Sequence, residues 1–94
     1  MRIRSVRHKG LRRLLERDDP RGIEPDLVSR VRNRLTALVA APELDALDGL
    51  PGWRLHQLTG DRRGTWSLSV SGNWRLTFDL EGDEIHDLDL EDYH

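Results

Sequence analysis

The chain has 94 residues, which allows one domain spanning 1–94 and excludes a second module. Cysteine is absent, which excludes disulfides and thiolate metal ligands, and no apolar run nears the roughly 20 residues of a membrane helix. The net charge of −2 conceals an asymmetry: residues 1–34 carry eleven Lys/Arg against five Asp/Glu, and residues 76–94 carry eight acids and no Lys/Arg.

Met1-Arg2-Ile3-Arg4 is charged with no apolar stretch behind it, so no signal peptide is expected, and the cytoplasm is the expected compartment. Residues 2–7 suggest a short first strand. Over residues 9–17, Leu11, Leu14 and Leu15 fall at helical spacing, with Arg12, Arg13 and Arg17 outside. Asp18-Asp19-Pro20 and Gly22 break that helix. Pro25 and Asp26 suit the first turn of a second helix, whose stripe of Val28, Val31, Leu35, Leu38 and Val39 runs to about residue 41. Arg30 and Arg34 share a different face of it. Pro42, Gly49 and Pro51-Gly52 close the region around one helical turn at 43–48.

From Trp53 the period becomes two. Trp66, Leu68 and Val70 alternate with serines, and Trp74, Leu76, Phe78 and Leu80 alternate with Arg75, Thr77 and Asp79. Gly64, Gly72 and Gly82 sit in links short enough for hairpins. A last strand runs from about Glu84 to Glu91 with imperfect alternation. Helices followed by a meander predict an α+β fold, with helices packed on one face of an antiparallel sheet.

The candidate chemistry lies in three places. Arg75 stands on a polar strand face among Ser67, Ser69 and Ser71; that face would admit a phosphate, and the plain alternative is a solvated surface arginine. The chain's last residues, Asp92, Tyr93 and His94, offer an imidazole near neutral pH beside carboxylates, or a frayed tail. The loop Thr59-Gly60-Asp61-Arg62-Arg63-Gly64 could reach phosphates, and the plain alternative is ordinary exposed turn arginines. The histidines show no HxxxH or HExxH spacing, so no metal is expected. Dinucleotide, P-loop and serine-hydrolase motifs are absent. The basic N-terminal half points to an anionic partner, or else is neutralised by the acidic C-terminal half in the folded chain.

The segments "IRSVRHKGLRRLLE", "RLHQLTGDRRGTWSLSVSGNWRLTF" and "LEDYH", in this order, resemble HigB-type toxins of the RelE/ParE superfamily, the killer proteins of plasmid-maintenance systems. The resemblance covers nearly the whole chain. It implies a RelE-like fold, with two N-terminal helices on a curved antiparallel sheet. It also implies the toxin of a type II toxin–antitoxin system, a ribosome-dependent mRNA endoribonuclease that inhibits translation with no cofactor and no metal. By position, Arg75 would stabilise the phosphorane, His94 would transfer protons, and Tyr93 and Asp92 would orient substrate or imidazole. Arg62, Arg63, Arg54, Lys9, Arg12 and Arg13 would grip messenger and ribosomal RNA. The implied partners are a helix-turn-helix, HigA-like antitoxin, the ribosome with its mRNA, and operator DNA only through the antitoxin, with no membrane. Two cations common in relatives are missing here, at Thr59 and Ser71. The competing readings are a ParE-like gyrase poison and a catalytically weak toxin acting as transcriptional co-repressor.

Overall fold

The computed structural model describes residues 1–93, and His94 lies outside the described residues. The chain runs β1 (Arg2–Ile3), α1 (Lys9–Arg17), α2 (Val28–Ala40), β2 (His56–Gln57), β3 (Trp66–Ser69), β4 (Trp74–Glu81) and β5 (Glu84–Asp92). Single 3₁₀ turns sit at Pro25–Leu27, Leu44–Leu47 and Gly60–Arg62. The five strands form one sheet in the order β1-β5-β4-β3-β2.

The α+β expectation holds, with one change to the sheet. It is mixed, because β1 pairs with β5 in parallel, Arg2 with Glu84 and Ile3 with Ile85. The two helices separate β1 from the meander and supply the long crossover that a parallel pair needs. The first strand is also shorter than the 2–7 reading; Val6 keeps an isolated parallel bridge to Leu88.

Helix α1 starts at His8, whose Nδ1 accepts the Leu11 N–H at 3.2 Å, an N-cap made by imidazole. It stops at Asp18, which turns to φ 54° so that two closing N–H bonds reach the carbonyls of Leu14 and Arg13. Gly10 packs against the next loop so closely that a Cβ there would lie 2.2 Å from the Gly22 carbonyl oxygen. At the end of α2 the Met1 ammonium donates to the carbonyls of Leu38, Val39 and Ala41, between 2.8 and 3.1 Å.

Leu11 and Leu14 from α1 and Val31, Leu35 and Leu38 from α2 meet Leu68, Leu76, Phe78, Ile85, Leu88 and Leu90 in one core. Leu15 and Val39, read as part of the apolar stripes, are exposed. The irregular alternation of β5 has a local cause. Between the pairs Thr77–Asp89 and Asp79–His86 the register slips by one residue, and Asp87 takes φ 54° at the slip. This bulge lets Ile85, Leu88 and Leu90 all face the core despite their mixed parity.

The two charged halves do meet along one edge. Arg2 and Arg4 pair with Glu84, and Arg7 pairs with Asp87. Among the described residues no helix is long and apolar enough to cross a membrane.

Candidate functional site

Paired residues of neighbouring antiparallel strands point to the same face. Ser69 pairs with Arg75 and Arg75 with Glu91; Ser67 pairs with Thr77 and Thr77 with Asp89. These two rungs occupy the sheet face opposite Leu76 and Phe78, hence opposite the helices. The pairing continues past β5, where the Tyr93 N–H donates to the Asn73 carbonyl at 2.8 Å. That bond sets the Tyr93 ring 4.7 Å from the Arg75 guanidinium carbon and brings its hydroxyl 3.0 Å from the Ser69 Oγ. Cation–π stacking and the hydroxyl contact hold the phenol against the sheet.

The serine face is therefore less open than its sequence suggests. Ser67 and Ser69 are buried, and Arg75, half-buried, has a packing partner in Tyr93. Two buried polar atoms on this face, the Arg75 Nε and the Ser67 Oγ, have no hydrogen-bond partner among the described residues.

Beside this stack opens a cleft of about 780 Å³ lined by Gly52, Arg54, His56, Ser69, Ser71, Gly72 and Tyr93. Arg54 holds φ 49°, the left-handed region that costs a non-glycine residue. The His56 Nδ1 lies 2.7 Å from the Arg54 carbonyl oxygen. A carbonyl only accepts, so Nδ1 is the donor in this contact. Sequence reasoning considered His56 only as a metal ligand. Its signal was its place near the Gly-bounded arginine turn, but only the pairing of His56 with Ser67 puts it on the Arg75 face.

Arg62 is exposed but ion-paired. Its two terminal nitrogens each donate to Glu91 at 2.7 Å, a bidentate pair. The Thr77 hydroxyl donates to the same carboxylate. Arg62 first, helped by Thr77 and by the nearby Arg75 charge, holds the Glu91 carboxyl well below its usual range, at about 2, against the opposing effect of burial. Glu91 had no assigned role in the sequence reading. A second cavity of about 110 Å³ lies alongside, lined by Arg62, Thr77 and Glu91 with Asp79, Asp87 and Asp89. Among the described residues no cluster of His, Asp or Glu is arranged to hold a metal ion.

The remaining sequence candidates divide by position. Arg63 is exposed in the Gly60–Gly64 turn. Asp92 pairs with Trp74, one step out of phase with Arg75 and Glu91, and so does not share their rung. Lys9, Arg12 and Arg13 line a separate groove on α1 with Glu16 and Arg17, in the helix layer on the other side of the sheet from Arg75. Ser71 lines the cleft, whereas Thr59 precedes the Gly60–Arg62 turn outside it. Arg34 is not on a solvated face: it is 8% exposed behind the cleft, its Nε donating to the Ser69 carbonyl at 2.9 Å.

The family model described as "RelE-like toxin of type II toxin-antitoxin system HigB" matches residues 4–94. The chain belongs to this HigB-like toxin family. A curated relative named Endoribonuclease HigB, from Proteus vulgaris, is 40% identical over 92 residues, covering 98% of this chain and 99% of that protein. Among solved structures, YafQ from E. coli strain BL21(DE3) superimposes with a TM-score of 0.65 at 14% identity, over 99% of this chain and 94% of the other. A YoeB–YefM complex from Staphylococcus aureus does so with a TM-score of 0.55 at 14% identity, over 100% and 99%. At such identities these structures establish a shared fold. The HigB-like toxin described here thus has the RelE-like architecture, carrying its cleft on the sheet face away from the helices.

Proposed function

We propose that this HigB-like toxin is a metal-independent, ribosome-dependent endoribonuclease that cleaves mRNA in the cytoplasm and so inhibits translation. The observation that carries the proposal is the Arg75–Tyr93 stack beside a cleft lined by Arg54 and His56. The name of the Proteus vulgaris relative supports the reaction class. In the proposed reaction the ribose 2′-oxygen bonds to the adjacent phosphorus as the P–O5′ bond breaks. The products are a 2′,3′-cyclic phosphate and a 5′-hydroxyl.

The step needs a proton taken from the 2′-OH, a proton given to the 5′-oxygen and stabilisation of the extra negative charge on phosphorus. Arg75 and Arg54 supply positive charge, and guanidinium suits phosphate geometry. The His56 Nε2 is a proton-transfer group at the cleft, working with His94 at the chain's last position. Tyr93 orients Arg75 and offers a face for a base to stack on. Asp92 keeps the orienting role that the resemblance implies. The exposed Arg63 and the α1 groove of Lys9, Arg12 and Arg13 suit phosphates beyond the scissile one, those of ribosomal RNA included. The antitoxin partner is proposed to be a helix-turn-helix, HigA-like protein that brings the toxin to operator DNA.

The test is primer extension on mRNA incubated with the protein, with and without ribosomes, in magnesium-containing buffer. Cleavage confined to the ribosome-bound message is expected, with loss of activity in Arg75→Ala. Metal independence is read separately on the ribosome-bound message, with protein treated with EDTA and dialysed before it is added: unchanged cleavage leaving a 2′,3′-cyclic phosphate is expected. Equal cleavage of naked and ribosome-bound message, or full toxicity of Arg75→Ala, rules the reading out.

A further inference from the structure

Among the described residues Arg34 is the only charged side chain in the buried core. A buried cation is costly unless it is paired, and its usual partner is a carboxylate. Arg34 is held instead by neutral groups. Its Nε donates to the Ser69 carbonyl at 2.9 Å, its Nη1 donates to the Arg30 carbonyl at 3.5 Å, and its guanidinium lies 4.6 Å from the Trp53 ring centre. Burial, and secondarily the like charge of Arg30, lowers its pKa, as an uncompensated cation requires.

The groups it grips belong to the two walls of the cleft. The Ser69 N–H donates to the Trp53 carbonyl at 2.6 Å, so the two segments are tied to each other as well as to Arg34. Trp53 lies between Gly52 and Arg54 on one wall, and Ser69 forms the other. From Ser69 the linkage goes on through its hydroxyl to Tyr93, and from Tyr93 to Arg75. Replacing a buried ion by an apolar side chain of similar volume is often neutral for stability. Stability alone therefore does not explain an arginine here, whereas a flat, forked cation that fixes a carbonyl and a ring at once does.

We propose that Arg34 is a positioning residue: by clamping Trp53 and Ser69 from behind, it fixes both walls of the cleft and, through Ser69, the Tyr93–Arg75 stack. The proposal rests on the reading of this cleft as the RNA site. Its reach into the chemistry is indirect, since Arg34 touches the walls and not the substrate. A misplacement of about 1 Å at a reacting group costs on the order of a hundredfold in rate.

The experiment uses the full chain with Arg34→Met and Arg34→Lys, read two ways. Ribosome-programmed cleavage gives kcat and KM, and the ring resonances of the protein's single tyrosine, Tyr93, report the stack by NMR. In Arg34→Met, kcat is expected to fall between about tenfold and a hundredfold with a smaller change in KM, and the Tyr93 resonances to move. Arg34→Lys keeps the charge but lacks the fork and the plane, so it is expected to fail on both readouts as well. Should Arg34→Met not fold, the lysine variant decides by the same two readouts. Wild-type kcat with unmoved resonances in either folded variant overturns the proposal. If the wild-type protein cleaves nothing, the reading of the cleft falls, while the Tyr93 resonances still test whether Arg34 positions the stack.

Discussion

Arginines at the two edges of this sheet meet different company. Along the β1–β5 edge, Arg2, Arg4 and Arg7 face Glu84 and Asp87, so charge is cancelled where the halves of the chain come together. Toward the β2–β3 edge, Arg34 lies against Trp53 and Arg75 against Tyr93. Carbonyls, hydroxyls and aromatic rings position a guanidinium without cancelling its charge. That end can therefore attract a phosphate although the whole chain is net negative. Arg62, clasped by Glu91, marks the border between the two regimes.

The comparison predicts a graded set of outcomes. The largest is Arg75→Ala: ribosome-dependent cleavage, followed by primer extension, is expected to drop on the order of a hundredfold or more, with relief of growth arrest. Next comes Arg54→Gly. Removing the cleft cation should lower cleavage about tenfold, while releasing a left-handed non-glycine residue should raise stability by about 1 kcal/mol in urea unfolding. A loss of stability in that variant breaks the strain argument.

Glu91 tests the border. Its folded pKa of about 2 lies below its ordinary 4.5, so the stability it contributes is present above about pH 4.5 and is lost as pH falls toward 2. With most of its side chain covered but its partner Arg62 partly exposed, that contribution is on the order of 1–2 kcal/mol after screening. Glu91→Gln should flatten the acid limb of stability against pH, measured by denaturant unfolding between pH 2 and 6. A smaller effect is expected from restoring cations. Ser71→Arg, inside the cleft, should raise cleavage more than Thr59→Lys, outside it, and the reverse order would relocate the phosphate path. The smallest is Arg2→Ala at the neutralised edge, for which primer extension should show unchanged cleavage.

Much of the fold was legible because it is written in local periods. The α1 range of residues 9–17, the second helix from Pro25, the helical turn near 43–48 and the hairpins at Gly72 and Gly82 all follow from spacing and turn residues. The mixed sheet was not legible. Strand direction at β1 depends on where a long crossover returns the chain, and no residue of Arg2–Ile3 records it. The bulge at Asp87 was visible only as a broken alternation. The apolar stripes overreached at Leu15 and Val39, which are exposed, because helical spacing marks a face but not how far the rest of the fold covers it.

For the site, the sequence by itself determined that Arg75 would stand on the polar face of its strand beside a row of serines. Alternation along a strand is a property of neighbouring residues, so that placement needed no knowledge of the rest of the chain. The tertiary structure decided which groups each arginine meets: Glu91 for Arg62, Tyr93 for Arg75, Trp53 and the Ser69 carbonyl for Arg34. It also brought His56 onto the same face. Spaced i, i+4 on a helix, Arg30 and Arg34 read alike in sequence, yet one is exposed and the other buried behind the cleft. A side chain's electrostatic role depends on its partners and on its access to water, and both are set by strand register and packing between segments far apart in the chain.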